Sequence, residues 1–262
     1  MHTELCRQFF AGPPLSSSVT MLPALPLLAL VSAAQAIPFP FKFLGWNTQT
    51  PFQPSVFSVS PPKDESGWVD PRALGGQFID FTTPRYGEPL NVIISNLSDP
   101  FVLTDEGFRW YYKSIGFSEE CLGLHYGHVH KADLGDGDGR KSEHILARQH
   151  YFPRWGTCWE TLIGGNHFRA WKQNGTDAST GAWFLGASKE QDSTKHHMIV
   201  PNGYNIGRDL LVQSAISGSS WKGMSWVTDV EWRDGLLEPG FKGINHAIAQ
   251  DGRIAILTVH RV

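Results

Sequence analysis

The sequence is short of the features that announce a function. It has no HExxH or CxxC spacing, no GxSxG elbow, no phosphate-binding GxxxxGK loop and no GxGxxG after a strand, which removes the simple motif-bearing hydrolase and nucleotide-binding classes. No run of Lys or Arg could neutralise several phosphates in a row, and 22 basic against 25 acidic residues leave a net charge of -3, so nucleic acid is not an expected partner. No apolar stretch reaches the roughly 20 residues of a spanning helix. The longest, MLPALPLLALVSAAQA at residues 21–36, is interrupted by Pro23 and Pro26. Cysteine is scarce as well, at Cys6, Cys121 and Cys158.

What is present points first to a compartment. The apolar stretch ends in Ala34-Gln35-Ala36, a small-x-small cleavage pattern, so a leader and signal peptide over residues 1–36 is expected, with an uncleaved anchor as the alternative and the true start open between Met1 and Met21. Cleavage would remove Cys6. In an oxidising compartment Cys121 and Cys158 would then make one bridge worth roughly 4 kcal/mol, the alternative being two buried free thiols. Sequons at Asn96 and Asn174 follow strand-like segments at turns, where glycans fit. A secreted, extracellular glycoprotein without stable membrane insertion of the mature chain is the expectation.

Residues 37–85 mix Pro, Gly, Ser and aromatics without a period of 2 or 3.6, which predicts an extended arm lying on the domain and lending one edge strand at 77–81. Residues 86–262 read as one globular domain. LNVIISN suits a buried strand, and Thr104 caps a helix whose Phe108, Tyr111, Tyr112 and Ile115 share a face. A strand over 121–130, HFRAWKQ, GAWFLGASKE, SWVTDVEW and RIAILTVHRV follow as strands, with a buried helix from Asn205 as N-cap through YNIGRDLLVQSAIS. Strands and helices mix without regular alternation. The fold class is therefore α+β, a mixed or mostly antiparallel sheet packed with two main helices and preceded by the irregular aromatic and Pro-rich arm.

Three groups of residues invite chemistry. The Asp133–Arg140 loop is oxygen-rich, but its Asp spacing misses the EF-hand register and lacks the closing Glu, which favours a plain turn over calcium. His128 and His130 on a strand would share one side, with His125 on the other, and a distant His167 or His246 could complete a three-His metal site; a solvated strand end competes with that reading. The third group is broader. His167, Arg169 and Trp171 alternate along one strand face, His196 and His197 follow the next strand, and Arg208 with Asp209 opens a helix whose N-terminus suits an anion; polar contacts that tie the turn to the helix are the plain alternative.

The same residues carry a resemblance. IGGNHFRAW, GAWFLGAS and KHHMIVPNGYNIGRDLLVQSA resemble the LssY C-terminal domain family, which pairs a His-x-Arg-x-Trp strand with a Trp-x-Gly-Ala strand, a His-His segment and an Arg-Asp at a helix. The match falls on His167, Arg169 and Trp171, on Trp183, Gly186 and Ala187, on His196 and His197, and on Arg208 and Asp209. One residue more stands between Trp183 and Gly186 than in the family pattern, and Pro201-Asn202-Gly203 replaces a Pro-Asp turn. The closing INHAIAQDGRIAILTV resembles the ending of uncharacterised secreted fungal proteins. The resemblance implies a fold and a residue set, and no reaction.

Together these readings predict an extracellular binding protein for an unidentified, anionic ligand, without a cofactor. A hydrolase of phosphate-bearing or other anionic substrates, with Arg169 and Arg208 on the anion and a histidine as general acid or base, is the alternative, and a His-based metal-binding protein is the second.

Overall fold

The computed structural model describes residues 67–123, 128–152 and 154–262. The expected leader, most of the arm, Cys6 and His125 lie outside the described residues.

The strand with the clearest alternation anchors the architecture. Residues Asn166–Lys172 form β6, antiparallel to β7 (Trp183–Lys189) over its full length, with His167 opposite Ser188 and Trp171 opposite Phe184. Around this pair are β1 (Val92–Ile94), β2 (Phe117–Ser118), β5 (Ile145–Gln149), β8 (Ser219–Trp221), β9 (Met224–Arg233) and β10 (Ile254–Arg261). They form one eight-stranded sheet in the order β2-β5-β6-β7-β1-β10-β9-β8. β1 and β10 run parallel and the other neighbours antiparallel, so the sheet is mixed. A small ribbon pairs β3 (Lys131–Asp133) with β4 (Arg140–Ser142).

One face of the sheet is covered by helices. α1 (Asp105–Ser114) starts where Thr104 accepts the Gly107 amide, and Asp105 and Glu106 occupy its dipole-favoured first turn. Its Phe108 stacks on Trp183 with ring centroids 4.5 Å apart, and Phe108, Tyr112 and Phe117 all pack on Phe168. α3 (Gly203–Ile216) adds Leu211, Val212 and Ala215 to the same core. It can approach because Gly207 has no side chain; a Cβ there would lie 2.4 Å from the Ser188 backbone. A short α2 (Cys158–Ile163) sits at the β5 end. An α+β domain with two main helices is therefore observed.

The other face is covered by the arm. Trp68 and Phe78 pack with Leu90, Ile93, Trp171, Phe184 and Ile256, and buried Gln173 bonds both the N–H and the C=O of Val69. Burial of the aromatics holds residues 67–85 on the sheet, each large ring contributing on the order of 2–3 kcal/mol.

Three local expectations are corrected. The strand expected over 121–130 is a turn at Cys121–Gly123, and β3 begins only at Lys131, because the Cys121–Cys158 disulfide, with Cα atoms 4.6 Å apart, ties the segment to α2. The edge strand expected at 77–81 reduces to the isolated pairs Ile79 with Pro89 and Phe81 with Lys131. The N-cap of α3 is Asn202, upstream of Asn205, since the Pro-Asn-Gly turn runs directly into the helix; the Asn205 amide group instead donates to Asn202 Oδ1 at 2.6 Å. The Asp133–Arg140 loop is a turn. Its buried Asp136 accepts the Asn174 and Gly175 amides and the Lys141 ammonium, leaving no carboxylate pair open for calcium. Asn174 is exposed at the β6–β7 turn and Asn96 half-buried after β1. Among the described residues no helix is long and apolar enough to cross a membrane.

Candidate metal centre and the buried charge cluster

Strand register assembles the first half of the site. Arg148 on β5 pairs with His167, which pairs with Ser188 on β7, so three polar residues stand in a row across the sheet on the face away from α1. Arg148 is buried and surrounded by acids. Its Nε donates to Glu120 at 3.0 Å, its Nη1 donates to Glu190, and Glu160 from α2 lies 3.7 Å away. Burial alone would lower the pKa of Arg148, but Glu190, Glu160 and Glu120 outweigh it and keep the guanidinium charged. Burial pushes the Glu160 carboxyl up to about 8 against the attraction of Arg148, with the charges of Glu190 and Glu120 adding to the push.

Glu190, just beyond β7, links the histidines. His167 Nδ1 lies 3.4 Å from one of its oxygens and His197 Nδ1 lies 3.5 Å from the other. Burial, followed by the nearby Arg148 and Arg169, holds His167 well below the ordinary imidazole range, so it is neutral at pH 7.

The second half is built where the arm joins the domain. Asp80 and Glu88 face each other across a turn, with the Asp80 amide bonding Glu88 O and the Glu88 amide bonding Asp80 Oδ1 at 2.7 Å. The turn closes this tightly because Gly87 stands in it; a Cβ there would fall 1.6 Å from the Asp80 carbonyl oxygen. His130, just ahead of β3, brings Nδ1 within 2.8 Å of Asp80 Oδ2. Asp80, Glu88 and His130 are all buried, and one ligand atom from each lies within 4.8 Å of the others. Burial pushes Asp80 up to about 7, against the Glu88 amide and Arg169 and with Glu143 adding. Glu88 also rises to about 7, through burial and then the charge of Asp80, while His130 and Arg169 oppose. Arg169 donates to Glu143.

Beside the acidic turn lies a groove of about 530 Å³ lined in part by Gln191, Met198, Ile199, Asn202, His246 and Ile248. Its wall is tied to the acidic turn, since the Asn245 amide bonds Gly87 O at 2.7 Å and Gly87 N bonds Gly243 O. Burial, with His130 adding and Glu190 opposing, holds His246 below the ordinary range. His196, His197, Asn202, His246 and Ala247 all have left-handed backbone with φ between 53 and 60°. Each such residue costs of order 1–3 kcal/mol, strain that concentrates at functional sites.

Summed charge decides what the cluster would hold. Asp80, Glu88, Glu120, Glu143, Glu160 and Glu190 face Arg148 and Arg169, so acids outnumber fixed cations. Both Glu160 oxygens and Asn166 Oδ1 are buried acceptors without a hydrogen-bond partner. Such an interior favours a cation.

The structure brings His167, Arg169 and His197 together, as their face and segment suggested. It does not bring the rest. Trp171 is apolar core, its Nε1 donating to Lys141 O, and His196 is exposed. Arg208 is buried elsewhere, donating to both Asp251 oxygens, to Asp209 and to Arg253 O, with its guanidinium 5.1 Å from the Trp232 ring centroid, so its donors are spent and no anion site forms there. Asp209 is the exposed partner of that pair. His128 is exposed, and His130 finds carboxylates instead of the histidines expected as its partners. Asp80, Glu88, Arg148, Glu160 and Glu190 were missed. The Asp80-x7-Glu88 pair did leave a trace, two acids bracketing the turn residues Pro84 and Gly87 in IDFTTPRYGE. Comparison with family models, with curated proteins and with solved structures returns no match.

Proposed function

We propose that this is a secreted, N-glycosylated protein that binds a divalent metal ion through Asp80, Glu88 and His130. The observation that carries the reading is the buried triad itself, three side chains of metal-ligating type with one atom each within 4.8 Å of the others. One imidazole nitrogen and two carboxylates suit a first-row ion such as Zn²⁺ or Mn²⁺ better than Ca²⁺, which takes six to eight oxygens. Arg169 would balance charge beside the ion, acting on both Asp80 and Glu88. The ligand is thereby a cation, where the sequence alone suggested an anion. The Cys121–Cys158 bridge and the exposed Asn174 support the extracellular setting. The positions that resemble the LssY C-terminal domain family and reach the cluster are His167, Arg169 and His197.

A second reading adds chemistry. His246 lines the groove beside the acidic turn and the part-exposed His197 lies 3.5 Å from Glu190, so each is a candidate general acid or base for a metal-assisted hydrolase. Calorimetric titration of the demetallated protein with Zn²⁺ and Mn²⁺ tests the first reading. One equivalent is expected for the wild type and a loss of at least 100-fold in affinity for His130→Ala; equal binding by both would reject the site. Turnover of phosphoesters that disappears in His197→Ala would add the second.

A further inference from the structure

The opposite side of the charge cluster is a surface that a water-soluble protein would not ordinarily leave bare. From Phe152 to Ile163 the large apolar side chains point outward: Phe152 is 43% exposed, Trp155 73%, Trp159 55%, Leu162 58% and Ile163 55%. Leu122, 70% exposed, stands next to Cys121 and is drawn to this segment by the disulfide to Cys158. α2 packs against the 121–123 turn and the 193–195 turn. α2 is thus two-sided, with Glu160 inside and Trp159, Leu162 and Ile163 outside.

We propose that this face is a docking surface for an anionic lipid membrane, on which the protein lies peripherally. Charge selects that occupant. Glu160 is the only acid between residues 150 and 163 and it is turned inward, so the exposed formal charge of the segment is Arg154, joined on the adjoining turn by Lys195, with Asp192 as that turn's cap. A patch of Trp, Phe, Leu and Ile with Arg154 within it and Lys195 beside it, against the Asp192 carboxylate that caps the Thr194 amide, is what the headgroup layer of an anionic bilayer accepts, the rings entering the boundary and the cations meeting phosphates. A second copy is a poorer fit, because a two-fold contact would set the same cations against themselves. The surface is also fixed in advance. The disulfide and the Thr157 hydroxyl, which donates to Glu119 O at 2.7 Å, hold the segment on the domain, so little ordering is needed on contact.

The test is sedimentation of the full-length secreted protein with phosphatidylcholine vesicles, with and without phosphatidylserine, read together with tryptophan emission. Anionic vesicles are expected to bind the protein at least tenfold more tightly than neutral ones, with a blue shift in emission and weakening by salt. The double variant Trp155→Ser/Trp159→Ser should lose this binding while its melting temperature and metal stoichiometry stay at wild-type values. Arg154→Glu should reduce the preference for anionic lipid and keep the fold. Absence of vesicle binding by the wild type, or equal binding by wild type and the double variant, overturns the proposal. A concentration-dependent dimer abolished by the double variant, without vesicle binding, would overturn it in favour of a second copy as the occupant.

Discussion

The two faces of β6 share a backbone and almost nothing else. Phe168 and Ala170 point into a core of rings and aliphatic chains under α1, while His167 and Arg169, one residue away in each case, point into a buried network of acids and arginines. The first face gains from every contact it makes. The second is assembled at a cost, since burying ions is offset only by close pairing. The difference teaches that the helix face specifies the fold and the arm face specifies a site, and that the site is held by the stability the other face supplies.

The strongest way to break the comparison is on the apolar side. Phe168→Ala removes a ring packed by Phe108, Tyr112 and Phe117 and should lower unfolding free energy by about 4 kcal/mol in a urea titration. A loss below about 1 kcal/mol would mean that this face is not the main source of stability. On the polar side, Arg148→Met leaves Glu120, Glu160 and Glu190 without their shared cation and should cost about 3 kcal/mol near neutral pH. That loss should shrink in acid, where the carboxylates protonate, whereas the Phe168→Ala loss should not.

The smallest effect sharpens the contrast through pH. Glu160 sits at about 8 in the fold against 4.5 for the free side chain, so the folded protein favours its protonated form. Its contribution is fully present below about pH 4.5 and is lost as pH rises through about 8. Arg148, Glu120 and Glu190 are the charged neighbours that set this balance. Thermal melts of Glu160→Gln should therefore fall less steeply with pH over that window than those of wild type; parallel curves would remove Glu160 from the account.

Much of this division was legible in the sequence. The alternation of His167, Arg169 and Trp171 against Phe168 and Ala170 identified the strand and its two faces, and the helical spacing of Phe108, Tyr111 and Tyr112 identified an aromatic helix face available for burial. The site was only half legible, because its residues come from separate segments that topology alone brings together. Arg148 was silent until β5 registered against β6, and Glu160 until the disulfide set α2 beside them. Asp80 lay in the arm and Glu88 just past its end, where missing periodicity hid a tight turn that only Gly87 permits. Arg208 misled for the opposite reason. Its sequence neighbourhood looked like an anion-binding helix start, but Asp251, 43 residues later, takes its charge.

The central claim is that Asp80, Glu88 and His130 hold a metal ion. Anomalous diffraction from crystals grown with Zn²⁺ tests it most directly. The account predicts one peak with ligand distances of about 2.0–2.2 Å to the His130 imidazole and to both carboxylates. A peak confined to exposed histidines such as His128 or His260, with the triad unchanged, would contradict it.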